Sequence, residues 1–208
     1  YYQRTGRVPS RPEGYDWTRF VPGNTSKTEW LGFHDNAELV QTLNPPSGWM
    51  QNCNVSPKAM TMDNPMKQED YPEYMFRSFR DGRWGARDGS NSRGRRANEL
   101  LSSAEKMTLE QAIATANDSL LHGEKVWREA LLAAYRINSE DYPFLEEAIN
   151  ILKLWDGYST KDSVGMTLFR EWWRQVQSHP QSLKEDREHN VNLSPNAQKV
   201  FLSSLATA

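Results

Sequence analysis

The chain has 208 residues and a formal net charge of −2, with 25 Lys and Arg residues against 27 Asp and Glu residues. A balance so close to neutral argues against a generally basic nucleic-acid-binding domain and against a polyacidic tail. No apolar run is long enough for a transmembrane helix, and the single cysteine, Cys53, excludes an internal disulfide and a cysteine-based zinc cluster.

The composition of the chain changes near Met107. Eight of the eleven prolines precede this residue, together with most of the Gly, Asn and Arg. Because proline interrupts helices, residues 1–106 are predicted to be an irregular region with short strands, and residues 107–208 to be helical. The expected fold class is therefore α+β and helix-dominated.

The first region offers three weak signals of regular structure. A short strand is predicted at Gly6–Pro9, between turn-forming residues. Asp35 and Glu38 have the spacing of a helix N-terminus, which predicts a helix over Asn36–Thr42. The segment Trp49–Asn54 is predicted to form another short strand.

The second region carries apolar residues at helical spacing. Thr108 and Gln111 have capping-box spacing, and Gly123 stands where the residue after a helix C-terminus is expected, so the first helix is predicted between them. In the fourth predicted helix, Val164 starts an inward stripe that repeats every four residues. The remaining helices are predicted over Glu124–Ile137, Pro143–Trp155, Lys161–Gln177 and Asn196–Ser204, with a charged loop over Pro180–Asn192.

An asparagine-rich window is the most conspicuous candidate for a catalytic site. It contains Gln51, Asn52 and Asn54 beside bulky apolar residues. A rigidly held Asn donates hydrogen bonds to an oxyanion, but Asn equally satisfies backbone groups in turns. Cys53 has no histidine beside it and is interpreted as a small buried hydrophobe. The four histidines show no metal-ligand spacing, so no metal site is predicted.

The segment Phe76–Arg96 is locally basic, with seven arginines among aromatic residues and glycines. This composition is similar to that of arginine–glycine segments that bind nucleic acid. The alternative is a loop and helix end whose arginines pair with carboxylates elsewhere. The neutral charge of the whole chain favours the alternative.

The segment Asn44–Pro57, NPPSGWMQNCNVSP, resembles a signature region in the β chain of the penicillin acylase family. Further segments resemble the family in the same order along the chain: Arg11–Trp17, Thr28–Trp30, Gly32–His34, Arg93–Leu101, Leu109–Gln111 and Leu154–Asp156. The resemblance implies an N-terminal-nucleophile amidohydrolase, in which a serine at the start of the β chain attacks an amide carbonyl and its own α-amino group acts as the base. It also implies a piece of a four-layer αββα fold with a helical insertion.

The resemblance implies two catalytic residues in this chain. The oxyanion-hole asparagine corresponds to Asn54. The arginine that organises the site corresponds to Arg93, with Arg95 and Arg96 as alternates. No cofactor is expected in this chain. The resemblance implies that calcium is possible in the full-length protein, through residues that lie mostly outside this stretch, but the acidic position of that site has no convincing match around Tyr71–Met75.

The implied reaction is hydrolysis of the amide bond of an N-acyl compound, of the β-lactam side-chain or acyl-homoserine-lactone type. Tyr1 cannot act as the nucleophile, so the chain is expected to be an internal piece of a β chain that is inactive alone. The expected partners are the missing α chain, the missing start of the β chain and the small-molecule substrate, with no nucleic acid and no membrane span. The resemblance places the protein in the periplasm or outside the cell. The alternatives are a non-catalytic binding module derived from this fold and an arginine-rich nucleic-acid binder.

Overall fold

The computed structural model describes residues 1–3, 6–17, 19–76, 89–179 and 193–208. They form two compact units, residues 1–116 and residues 117–208. The expected α+β, helix-dominated fold class is confirmed, since the strands are short and helices make up most of the regular structure. The boundary predicted between residues 106 and 107 was based on amino-acid composition, and it stays a prediction.

The first unit contains two small antiparallel sheets among its described residues. Strand β1 (Tyr2–Gln3) pairs with β4 (Gln41–Thr42), and β2 (Pro9–Ser10) pairs with β3 (Gly32–Phe33). The strand predicted at Gly6–Pro9 lies slightly later, as β2. Each strand is only two residues long, and β2 and β3 themselves contain Pro9 and Gly32, which weaken strand pairing.

Two predictions in this unit are wrong. The segment predicted as a helix over Asn36–Thr42 forms only a 3₁₀ turn at Asn36–Glu38. The backbone then becomes extended, because the adjacent Leu39 and Val40 are both buried in the core. The segment Trp49–Asn54 is not a strand. Its Gln51 N–H donates to the Met60 carbonyl at 2.9 Å, and side-chain contacts bend the residues that follow.

Short helices complete the first unit. The α-helices are α1 (Glu73–Phe76), α2 (Ser92–Ser102) and α3 (Leu109–Ala116), and the further 3₁₀ turns are Ser26–Thr28, Pro57–Ala59 and Gln68–Asp70. The capping box predicted for α3 is confirmed, since Thr108 and Gln111 exchange side-chain and backbone hydrogen bonds of 2.9 and 3.2 Å. The unit's buried core consists of Leu39, Val40, Met60, Met66, Met75 and Phe76.

Outside residues 180–192, which are not described, the second unit contains four α-helices, all of them predicted. They are α4 (Glu124–Asn138), α5 (Glu146–Leu154, after a 3₁₀ turn at Pro143–Leu145), α6 (Val164–Gln177) and α7 (Pro195–Leu205). Helix α4 packs on α5 and α7, and α6 packs on the same two helices. The core between them holds Leu131, Leu152, Trp172, Val176 and Phe201, each with essentially no exposed surface. None of the helices in the described parts of the chain is long and apolar enough to cross a membrane.

The second unit differs from the sequence prediction in two details, and a third prediction falls outside the described residues. Gly123 caps the start of α4 with a φ of +82°, rather than following the end of a helix, because α3 stops at Ala116. Val164 is exposed, whereas Gly165 faces the core and lies directly against the Trp155 ring. The loop predicted over Pro180–Asn192 lies outside the described residues.

A largely buried ion pair within α4 also contacts the end of α5. The Arg128 guanidinium makes a two-point contact with the Glu124 carboxylate, at 2.8 Å from Nε and 3.1 Å from Nη2. Its Nη1 donates to the carbonyls of Leu152 and Trp155 at 3.1 and 2.5 Å. Arg128 therefore satisfies carbonyls at the end of α5 that have no partner within that helix.

Candidate active site

The candidate site begins with a turn over Gln51–Asn54 that its own side chains build. The Cys53 N–H donates to Gln51 Oε1 at 2.9 Å, and the Asn54 N–H donates to Asn52 Oδ1 at 3.2 Å. Gln51 is buried, and its Nε2 donates to the Ala59 carbonyl at 2.9 Å. Asn54 has a φ of +58°, in the left-handed region that Asn tolerates better than most residues.

The first turn of α2 lies against this turn because one position there has no side chain. Gly94 is buried, and a Cβ built on it would lie 2.5 Å from Val55 Cγ1. A second contact comes from the Ser56 N–H, which donates to the Gly89 carbonyl at 2.8 Å. The backbone before and after the N-terminus of α2 is thus held close to the backbone that follows Asn54.

Arg93, in the first turn of α2, contacts the predicted oxyanion-hole residue. Its Nη2 donates to Asn54 Oδ1 at 2.8 Å and to the Cys53 carbonyl at 3.1 Å. A guanidinium can only donate, so the amide oxygen of Asn54 faces Arg93 and its Nδ2 faces the opposite way. Asn54 is exposed, and its Nδ2 donates to no other group in the part of the chain that the structure describes.

This arrangement leaves the Asn54 Nδ2 as a polarised donor on an exposed side chain. A cation at the oxygen end of an amide draws electron density from the nitrogen end and strengthens its N–H groups as donors. The Asn54 amide is therefore held in one orientation, with two N–H groups ready for an acceptor that carries negative charge.

The structure brings Asn54 and Arg93 together although 39 positions separate them. Arg96, an alternate site arginine, instead pairs with Glu99 at 3.3 Å. Arg95, the other alternate, follows in the same helix and donates its backbone N–H to the Asn91 carbonyl at 2.9 Å. The catalytic roles of these residues stay predictions. The arginines of Phe76–Arg96 between residues 77 and 88 lie outside the described residues.

Two residues support the site in ways that were not predicted from the sequence. Gln51 anchors the turn, and Asn91 caps α2 by accepting a hydrogen bond from the Gly94 N–H at 2.9 Å. Asn is a preferred residue immediately before a helix. This preference could have identified Asn91 as a capping residue, but it could not be applied because α2 itself was not predicted.

A second polar cluster lies elsewhere in the first unit. His34 contacts the Glu38 carboxylate through Nδ1 at 2.9 Å and the Tyr74 hydroxyl through Nε2 at 2.8 Å. The hydrogen bond with His34, followed by one from the Asp35 backbone, lowers the pKa of Glu38 below its ordinary value. Burial raises the pKa of Tyr74. No hydrogen bond joins this cluster to Asn54 or Arg93 within the described ranges.

Comparison with known proteins gives two findings. The model of the penicillin amidase family matches residues 1–206. The chain is similar to penicillin G acylase from Escherichia coli, with 32% identity over 111 residues, which is 53% of this chain and 11% of the relative. The matched segment thus spans only a small part of that relative's length.

Proposed function

We propose a function from one premise, that the chain belongs to the penicillin amidase family. The proposed reaction is hydrolysis of the amide bond of an N-acyl compound. The chain contributes the oxyanion-binding part of such an acylase, with Asn54 as the donor and Arg93 as the residue that orients it. The observation that carries the proposal is the 2.8 Å contact from Arg93 to the amide oxygen of Asn54.

The chemistry follows from how charge moves during amide hydrolysis. When a nucleophile attacks the amide carbon, the carbonyl oxygen becomes negatively charged in the tetrahedral intermediate. A donor that is already oriented stabilises this charge without reorganisation at the moment of reaction. The Asn54 amide meets this requirement, because Arg93 fixes the oxygen end and leaves the nitrogen end accessible.

The nucleophile is proposed to be a serine from another part of the acylase, as the family resemblance implies. On this proposal residues 1–208 alone hydrolyse no acyl amide. The rest of the polypeptide is then the partner of this chain, and a β-lactam side chain or an acyl-homoserine lactone is the type of substrate. A periplasmic or secreted location and a reaction without a cofactor belong to the same proposal.

The test uses the full-length gene product that contains this chain, with a chromogenic N-acyl amide as the substrate. Asn54→Gly is the decisive variant, because Gly adopts the positive φ of residue 54 without strain and removes only the side chain. The expected loss in kcat is about 10²- to 10³-fold, the typical cost of one oxyanion-hole donor.

A matched control is Asn150→Ala, which removes an exposed asparagine from α5 and is expected to leave kcat unchanged. A folded Asn54→Gly protein with kcat within about threefold of the parent would refute the oxyanion role. Absence of acyl-amide hydrolysis by the full-length protein would refute the proposed reaction and favour the non-catalytic binding module.

A further inference from the structure

We propose that Asn91 is a positioning residue of the acylase reaction, which holds the turn that presents Asn54 to the substrate. The inference rests on the proposed function, because it concerns the same site. It adds a residue to which neither the sequence nor the family comparison gives a role.

The side chain of Asn91 makes hydrogen bonds on two sides. Its Oδ1 accepts from the Gly94 N–H at 2.9 Å and thereby caps α2. Its Nδ2 donates to the Cys53 carbonyl at 2.9 Å and lies 3.4 Å from the Asn54 carbonyl. One amide therefore joins the start of α2 to the backbone on both sides of Asn54.

The orientation of this amide follows from its neighbours. A backbone N–H requires an acceptor, so Oδ1 must face Gly94, and a carbonyl requires a donor, so Nδ2 must face Cys53. The two halves of the Asn91 side chain thus have separable tasks. The oxygen stabilises the helix, and the nitrogen holds the turn.

The peptide group after Cys53 is the critical one, because its rotation sets the direction of Asn54. Its carbonyl accepts from Asn91 Nδ2 at 2.9 Å and from Arg93 Nη2 at 3.1 Å. Asn54 follows with a φ of +58°, a conformation that costs free energy and persists only where its surroundings fix it. Without the Asn91 donor, Arg93 must hold both this carbonyl and the Asn54 side chain.

The expected consequence is a slower chemical step rather than weaker substrate binding. Misplacement of a catalytic group by about 1 Å can lower a rate by about 100-fold. We therefore expect variants that lose only the Nδ2 donor to lower kcat by about 10- to 100-fold, with little change in KM.

Two substitutions at position 91 separate the tasks. Asn91→Ser and Asn91→Asp both retain an oxygen that caps α2, and both are favourable residues for that position. Neither donates as the amide does, and the Asp carboxylate also repels the Cys53 carbonyl. The helix is therefore expected to remain stable in both variants, while kcat falls, most strongly in Asn91→Asp.

The measurement is kcat and KM of the full-length protein with the same chromogenic amide, together with the midpoint of thermal unfolding. Ser163→Ala is the control for a lost cap, because Ser163 caps α6 through the Met166 N–H at 3.1 Å. This control is expected to lower stability with kcat unchanged. Asn91→Ser is expected to lower kcat while the midpoint of thermal unfolding stays unchanged.

A double variant tests whether Asn91 acts through Asn54. When Asn54 is already Gly, Asn91→Ser is expected to cause no further loss in kcat, because the donor that it positions is gone. An equal fold-loss in both backgrounds would overturn the inference. So would an unchanged kcat in Asn91→Ser when Asn54→Gly is impaired, and that result would leave the proposed function intact. An unimpaired Asn54→Gly would instead refute the proposed function itself.

Discussion

Replacing Arg128 by Met is expected to lower the free energy of unfolding of the 117–208 unit by about 3–5 kcal/mol. Only 5% of the Glu124 side chain and 14% of the Arg128 side chain are exposed, so the change leaves a carboxylate in a dry environment without its cation. The carbonyls of Leu152 and Trp155 lose their donor as well, at about 1–3 kcal/mol for each group left unsatisfied. Water that enters the site offsets part of this sum, which keeps the expected total within the stated range.

The assay is equilibrium denaturation of the chain by urea, followed by circular dichroism, with hydrogen exchange of the α5 amides to localise the effect. The matched control is Arg170→Met, which removes an exposed arginine paired with Glu171 at 3.1 Å and is expected to cost less than about 1 kcal/mol. The double variant Arg128→Met with Glu124→Gln removes the stranded charge and is expected to recover part of the loss. A cost below about 1 kcal/mol for Arg128→Met would refute the reasoning.

Two further predictions concern single positions. Gly157→Ala is expected to destabilise the chain by about 1–3 kcal/mol more than Gly123→Ala. The two glycines have nearly equal φ values, +84° and +82°, but only at Gly157 would the new Cβ meet a neighbour, Glu124 Oε1 at 2.5 Å. Equal losses of stability in urea denaturation would contradict this prediction. Glu38 is expected to titrate by NMR below the ordinary pKa of a carboxyl, and His34→Gln to raise that pKa. The ionised Glu38 contributes its full stabilisation above the unfolded-state pKa, and this stabilisation is lost as the pH falls through the lowered folded-state pKa. An ordinary pKa for Glu38 in the intact chain would contradict the prediction.

The helices of the second unit could be predicted because their signals are local. Apolar residues at helical spacing specify α4–α7 without knowledge of the rest of the fold. The error at Val164 arose because periodicity treats glycine as neutral. Gly165 faces the core only because Trp155 packs directly on its backbone, a close approach that no sequence pattern contains.

The first unit was harder to predict because distant contacts determine its elements. Leu39 and Val40 are adjacent and both are buried, which neither a helical nor an alternating pattern anticipates. Gln51 looked like part of a strand, but its side chain spans to the carbonyl of Ala59. Such contacts follow from how the chain folds back on itself.

The candidate site was predicted by resemblance rather than by physical argument. Asn54 and Arg93 carry no periodicity that links them, and their contact depends on the position of α2. In the sequence Gly94 belongs to the arginine- and glycine-rich segment Phe76–Arg96, whereas in the structure it is the point at which α2 meets Val55. Asn91 was overlooked for the same reason, since a capping residue has no meaning before its helix is known.

The left-handed backbone of Asn54 restricts how this part of the protein can be engineered. Asn44 and Asp63 share this backbone geometry, with φ values of +49° and +48°, so a tolerance for Gly, Asn and Asp is expected at all three positions. The proposed function adds a requirement at residue 54, where the side chain accepts from Arg93 and presents a neutral N–H donor. Gly lacks the donor and Asp lacks the N–H. In a randomised library selected for acylase activity, the proposed function therefore predicts that only Asn is recovered at position 54, and diversity aimed at new substrates belongs at residues outside this turn.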